Sequence, residues 1–211
     1  MENFTNDFIK RFPELKEVIP SVKKAAEIII EAFADDRILY LCGNGGSAAD
    51  CEHIAGELLK SFKCKRELTP QLKTEFRKFP EDGTDLSNKL EYGLRAVALT
   101  SHPSFSTAFA NDVDASMIFA QQLFVLSRRG DVLIGISTSG NAANIRKCFV
   151  TAKVKGVKTI LLTGRDGGCC AGLADCVIRI PETETFLIQE KHVGVYHLLC
   201  LIIEDYFYGQ K

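Results

Sequence analysis

The sequence predicts an α/β protein: a three-layer sandwich in which helices flank a central, mostly parallel five-stranded sheet. Three observations carry that prediction. Short aliphatic and β-branched runs recur along the chain, and between them lie stretches with helical spacing of apolar residues. The runs are apolar throughout instead of alternating, as expected of strands covered on both faces. Turn chemistry rich in glycine or hydroxyls follows the first and third runs, where a helix opens, and open α/β sheets place ligands beyond such carboxyl ends.

Each element has its own signal. Residues 21–34 place Val22, Ala25, Ala26, Ile28, Ile29, Ala32 and Phe33 at helical spacing. "ILYLC" (38–42) reads as a buried strand, and "AADCEHIAGELLKSF" as a helix opened by Ser47 in the N-cap position. "AVALT" (96–100) is a second strand and "MIFAQQLFVL" (117–126) a helix. "DVLIGIS" (131–137) is a third strand, followed by a helix over 142–156 that ends at Gly156. "TILLTG" (159–164) and "CVIRI" (176–180) complete the sheet, and 186–207 form a long last helix. Residues 60–94 break this rhythm: they are charge-rich, with a turn at "FPEDG" and a short helix signalled by Thr69, Pro70, Leu72, Phe76 and Phe79. The expectation is one domain over 1–211 carrying a solvated helical insertion at about 60–94.

Bulk properties narrow the function classes. Hydrophobic residues make up 46% and charged residues 25%, an ordinary globular composition. A formal net charge of −1 gives no electrostatic footprint for nucleic acid or an acidic membrane surface. "MENFTNDFIKRFPELK" has no apolar core of a signal peptide, and no apolar run reads as a bilayer span, so a cytoplasmic protein is expected. The eight cysteines form no C-x-x-C pair, and several sit inside apolar runs as small hydrophobes.

The chemistry concentrates after the strands. Gly43-Asn44-Gly45-Gly46-Ser47-Ala48 fits the loose pattern G-x-G-x-x-G/A. A dinucleotide site also needs an acidic strand end about 20 residues on, and "KSFKCKRE" has no buried strand before it, so no nucleotide cofactor is expected. The general property survives: glycines admit backbone N–H groups to a ligand, and a helix N-terminus favours an anion. "GISTSGNAANI" places Ser137, Thr138 and Ser139 at a second such turn. Hydroxyls and N–H groups without a lysine suit a phosphate monoester that is held, not transferred. His53 and Glu57, four apart, share one helix face; Gln189 and His197, eight apart, stand roughly 80° apart around the last helix and line one side. His53, Glu57, Gln189 and His197 could hold zinc, and Glu57 with His197 equally make a general acid–base pair.

These residues resemble the sugar isomerase (SIS) domain family and, within it, the phosphoheptose isomerases. "CGNGGSAADCEHIAGEL", "ANDVD", "GDVLIGISTSGN", "LTGRDGG" and "IQEKHVGVYHLLCLIIE" carry the family's pattern in its order, over nearly the whole chain except about 60–94. The resemblance implies a flavodoxin-like SIS fold and a ketose–aldose isomerisation of sedoheptulose 7-phosphate to a heptose 7-phosphate through an enediol, feeding nucleotide-heptose synthesis. It implies Glu57 as the base and His197 as its acid–base partner. It further implies phosphate contacts from Ser47, Ser137, Thr138 and Ser139, sugar contacts from Asn44, Asn111 and Asp112, and substrate or phosphate contacts from Gly45 and Gln189. Some members bind zinc at positions matching His53, Glu57, Gln189 and His197, and the family forms homotetramers with sites at subunit interfaces. Ala142, Gln121 and Leu187 depart from the family's usual hydroxyl and arginines. Two alternatives follow from those departures and from the fold: an isomerase of another phosphosugar, and a catalytically silent SIS tetramer that binds a phosphosugar or a protein. Silent relatives lack the Glu and His pair that this chain has.

Overall fold

The computed structural model describes residues 2–209. Helix α1 spans Glu2–Arg11, a 3₁₀ segment Pro13–Val18, and α2 Ile19–Ala34. Strand β1 (Leu39–Gly43) leads to α3 (Gly46–Leu59). Then come α4 (Pro70–Phe76), α5 (Gly83–Lys89), β2 (Ala96–Ala98) and α6 (Pro103–Phe109). A π-turn over Ala110–Asp114 and a 3₁₀ turn over Ala115–Met117 precede α7 (Ile118–Leu126). The chain closes with β3 (Val132–Ser137), α8 (Ala143–Lys155), β4 (Lys158–Thr163), β5 (Cys176–Arg179) and α9 (Thr185–Tyr208).

The five strands form one sheet in the order β2-β1-β3-β4-β5, and every pairing is parallel. Leu39 pairs with Ala96 on one side and Val132 on the other, so β1 and β3 are central. Successive side chains on a strand point to opposite faces, and the core divides accordingly. Leu39, Leu41, Ile134, Ile136, Ile160 and Leu162 face the layer of α1, α2, α3 and α9. Tyr40, Cys42, Leu133 and Leu161 face α7 and α8. The chain leaves β1 toward β2 and leaves β3 toward β4, opening a crevice between the carboxyl ends of β1 and β3.

Several sequence expectations need correction. Helix α1 is not among them, yet it forms: Phe4, Phe8 and Phe12, four apart, pack against the core beside α9. Ser47 is not the N-cap of α3: Gly45 takes that position and Ser47 is buried one step inside the helix. The 60–94 excursion adds α5, and it is not merely a solvated surface segment. Thr69 does cap α4, its hydroxyl accepting from the Leu72 N–H at 3.4 Å. Arg66, however, is fully buried and paired with Glu204 of α9. Helix α9 is long and apolar enough by length and composition to cross a bilayer, contrary to the reading of no such run. More than half of that apolar window is buried, packed on α1, α2 and α3, which explains its hydrophobicity as core. Six of the eight cysteines are buried free thiols, as their apolar settings suggest.

Candidate active site

The crevice holds a cavity of about 350 Å³ lined by Asn44–Ser47, Ile136–Ser139, Ala142, Thr185 and Gln189. Three helices begin here: α3, α8 and α9. Their N-cap residues are Gly45, Ala142 and Glu184, and none makes a side-chain capping bond. The positive ends of three helix dipoles therefore gather at one cavity, although the Ser47 and Ala48 N–H groups of α3 already bond to the Asn44 and Gly45 carbonyls at 3.0 Å. Ser47, Ser137, Thr138 and Ser139 add hydroxyls, and no lysine or arginine lines the cavity among the described residues. Such a set binds an anion through hydrogen bonds and dipoles.

Two glycines make the close approach possible. Gly45 has φ 53° and ψ −120°, a conformation that only glycine adopts readily. A Cβ on Gly46 would lie 2.7 Å from Gln189 Nε2, so a side chain there would displace Gln189 from the cavity wall. The two loops are locked by a reciprocal amide pair. Asn44 Nδ2 donates to Asn144 Oδ1 at 3.0 Å, and Asn144 Nδ2 donates to Asn44 Oδ1 at 2.8 Å. Asn144 carries no signal in the sequence, because its partner lies a hundred residues away.

A second group stands farther along α3. His53 Nε2 is 3.2 Å from Glu57 Oε1, and His197 Nε2 is 3.4 Å from His53 Nε2. The other Glu57 oxygen meets Lys60 Nζ at 2.9 Å. Tyr196, which sequence reasoning also misses, orients His53: its hydroxyl donates to Asp50 Oδ1 at 3.3 Å and sits 2.9 Å from His53 Nδ1. Burial, then Asp50, raises the Tyr196 pKa, so its hydroxyl keeps its proton. With that proton on Asp50, the hydroxyl accepts from His53 Nδ1–H, leaving the Nε2 lone pair aimed at Glu57 and His197. Burial, then the neighbouring His53, lowers the His197 pKa, which favours the neutral imidazole.

The hydroxyl-lined cavity and the Glu57 group stand apart. Ser47 to Glu57 spans ten residues of helix, about 15 Å along its axis. Gln189 serves the cavity end, not the His53–Glu57–His197 cluster. Among the described residues no three or more His, Cys, Asp and Glu side chains stand assembled as a metal centre. Asn111 and Asp112 join neither end: both are exposed on the π-turn, with Asn111 Nδ2 donating to Asp112 Oδ1 at 2.9 Å. The remaining histidines are accounted for elsewhere. His102 pairs with Gln122 at 2.7 Å, and His192 is fully buried, its pKa pushed down by burial to about 4.

The SIS domain family matches residues 3–99 and again 98–199. The phosphoheptose isomerase of a Nitratiruptor species is 40% identical over 183 residues, covering 87% of this chain and 84% of the relative. That of Clostridium acetobutylicum is 35% identical over 218 residues, covering 100% of this chain and 98% of the relative. Among solved structures, a phosphoheptose isomerase from Neisseria gonorrhoeae superposes with a TM-score of 0.73 at 33% identity, covering 94% of both chains. One from Francisella tularensis gives 0.75 at 27% identity, covering 97% of both.

Proposed function

Because the chain belongs to the SIS domain family, among its phosphoheptose isomerases, we propose that it converts sedoheptulose 7-phosphate to D-glycero-D-manno-heptose 7-phosphate through an enediol. The observation that carries the reading is the pairing of two ends. An anion cavity without cations sits at one end, and a carboxylate with a neutral imidazole at the other. A sugar whose phosphate is remote from its reacting carbons suits that separation.

The chemistry follows from the groups present. A hydrogen on C1 of the ketose is weakly acidic, and its removal needs a fixed base. Glu57 takes that proton and returns it to C2. His197, neutral and able to donate or accept, moves the proton between the two oxygens as the enediol forms and collapses. Ser47, Ser137, Thr138, Ser139 and the helix N-termini hold the phosphate throughout. That interaction is equal in ground and transition states, so it sets KM more than kcat. Asn44 is assigned to the sugar hydroxyls; Asn111 and Asp112, which join neither end within this chain, would reach a sugar only across the proposed subunit interface.

Zinc is part of the proposal. In the tautomer that Tyr196 favours, the His53 Nε2 lone pair faces a Glu57 carboxylate oxygen, which calls for a shared proton or cation. Glu57 Oε1 and His197 Nε2 lie 3.2 and 3.4 Å from His53 Nε2, so the three side chains are the ones that would share an ion. The Asp50–Tyr196–His53 chain is the outer support that a metal-bound histidine needs. His53, Glu57 and His197 would hold the ion; Gln189, the fourth member of the proposed set, stands two turns away at the cavity end in this chain. The ion would supply Lewis-acid polarisation of the substrate oxygens. A Glu57 bound to zinc is a weaker base, so the two roles compete. Protein purified without chelator is expected to contain one zinc per chain by elemental analysis. Sub-stoichiometric zinc with full activity in EDTA removes the metal from the reading.

We assign the protein to the cytoplasm as a homotetramer with sites at subunit interfaces. Support for assembly comes from Phe124, Val125 and Leu126 of α7, which are exposed side by side. Activity is tested with phosphosugars of different chain length. Turnover of sedoheptulose 7-phosphate above five- and six-carbon ketose phosphates is expected. Preference for a shorter sugar overturns the assignment and points to the departures at Ala142, Gln121 and Leu187.

A further inference from the structure

We propose that the loop over 61–66 is a positioning device for the acid–base pair: clamped through Glu204 and Arg66, it holds Phe62 against His197 and ties off the helix that carries Glu57. The proposal rests on the isomerase reading for its catalytic meaning, and on contacts of its own for its geometry.

The Glu204 carboxylate is the hub. It accepts from the backbone N–H of Phe62 and Lys63, each at 2.8 Å, and of Cys64 at 3.0 Å. It also accepts from Arg66 Nε at 3.1 Å and Nη2 at 2.9 Å. A short loop is thus wrapped around one buried carboxylate of α9, seven residues beyond His197, about 10 Å along that helix. Arg66 then reaches α3. Its Nη1 donates to the Leu58 carbonyl at 2.6 Å, and its Nη2 donates to the carbonyl of Glu57 itself at 3.1 Å. These are last-turn carbonyls that the helix leaves unpaired, and a guanidinium there also complements the negative helix end.

One ion pair therefore fixes how α3 lies against α9, and so how Glu57 lies against His197. The loop completes the arrangement at the imidazole. The Phe62 ring lies with its centroid 5.4 Å from that of His197, tilted by 45°. The His53 ring stands 5.0 Å away at 85° and the Tyr196 ring 5.0 Å away at 87°. His197 thus has three ring neighbours, two belonging to the site and one to the clamped loop. An exposed imidazole rotates freely, and misplacing a proton-transfer group by about 1 Å can cost as much as roughly 10²-fold in rate.

The test is Phe62→Ala beside Phe62→Tyr, in the full-length protein, with circular dichroism as the fold control. Phe62→Ala is expected to lower kcat at least about tenfold with KM within about twofold, and Phe62→Tyr, which keeps the ring, to restore most of it. If the alanine variant does not fold, Phe62→Leu keeps the apolar volume without the ring and replaces it. A second readout needs no turnover: in ¹⁵N–¹H imidazole spectra, the His197 resonances should shift or broaden in the ringless variant while those of His102 stay put. A folded ringless variant with kcat within about twofold of wild type and unchanged His197 resonances overturns the proposal. Shifted His197 resonances in a protein that does not turn over sedoheptulose 7-phosphate support the positioning contact and sink the isomerase reading, so the two failures are distinguishable.

Discussion

Glu57→Gln is expected to reduce kcat by roughly 10²–10⁴-fold, the range that a positioned acid–base group supplies, while the protein stays folded. Glutamine has the same shape: its oxygen can still accept from Lys60 and its NH₂ can donate to the His53 Nε2 lone pair, groups that now lie 2.9 and 3.2 Å from the carboxylate. It has no basic lone pair that can take a proton from carbon. KM should change little, because the phosphate cavity lies about 15 Å away along α3. Steady-state kinetics with sedoheptulose 7-phosphate, together with a thermal melt, check both halves. A variant with kcat near wild type would remove Glu57 as the base. The result also separates an enzyme from a silent binding member of the family, since a binding module loses nothing of its function with this carboxylate.

The second large effect is on stability. Glu204 is almost fully buried, and burial alone would raise its pKa. Three backbone N–H donors and Arg66 override burial and leave it lowered. In Glu204→Gln no orientation of the amide suits the site. One carboxylate oxygen faces Phe62 N–H and Arg66, the other faces Lys63 and Cys64 N–H, so the amide NH₂ must meet donors either way. Arg66 is left buried without its counter-charge, and breaking such a pair costs about 3–5 kcal/mol. At the size of this chain that is a fall in Tm of roughly 6–20 °C.

The effect has a defined pH dependence. A carboxyl whose folded-state pKa is depressed adds stability that is fully present above its unfolded value and lost as pH falls through the folded one. The reference value here is 4.5. The gap between wild type and Glu204→Gln in urea titrations should therefore be full at pH 7 and narrow below about pH 4.5. A gap that stays constant down to about pH 3 would mean that the lost shape, and not the lost charge, is responsible.

The signals legible in the sequence are local ones. Apolar runs without alternation report strands covered on both faces, and all five appear within one or two residues of their expected places. The Gly43–Ser47 and Ser137–Ser139 turns can be read as anion-binding because the chemistry of a helix N-terminus is carried by neighbours in sequence. His53 and Glu57 are joined by helical spacing alone. Where a second local pattern competes, the sequence misleads. Ser47 has the chemistry of a cap, yet the positive φ of Gly45 starts α3 earlier. Phe4, Phe8 and Phe12 are hidden by the polar residues between them.

The tertiary structure decided what no spacing contains: the rotation and depth at which α9 lies against α3. Gln189 and His197 stand on one side of α9, but two turns apart, and that offset sends one to the anion cavity and the other to His53. Tyr196, adjacent to His197 and on an apolar face, becomes the support of His53 only once α3 presents Asp50 to it. Arg66 reads as one more charge in a charge-rich segment until Glu204, 138 residues later, is placed beside it. The sequence by itself determined the sheet, the two glycine- and hydroxyl-rich turns that open helices at its edge and the candidate carboxylate, because hydrogen bonding and hydrophobic periodicity act over a few residues. Which side chains meet across helices is set by how whole faces pack, and only the folded chain contains that information.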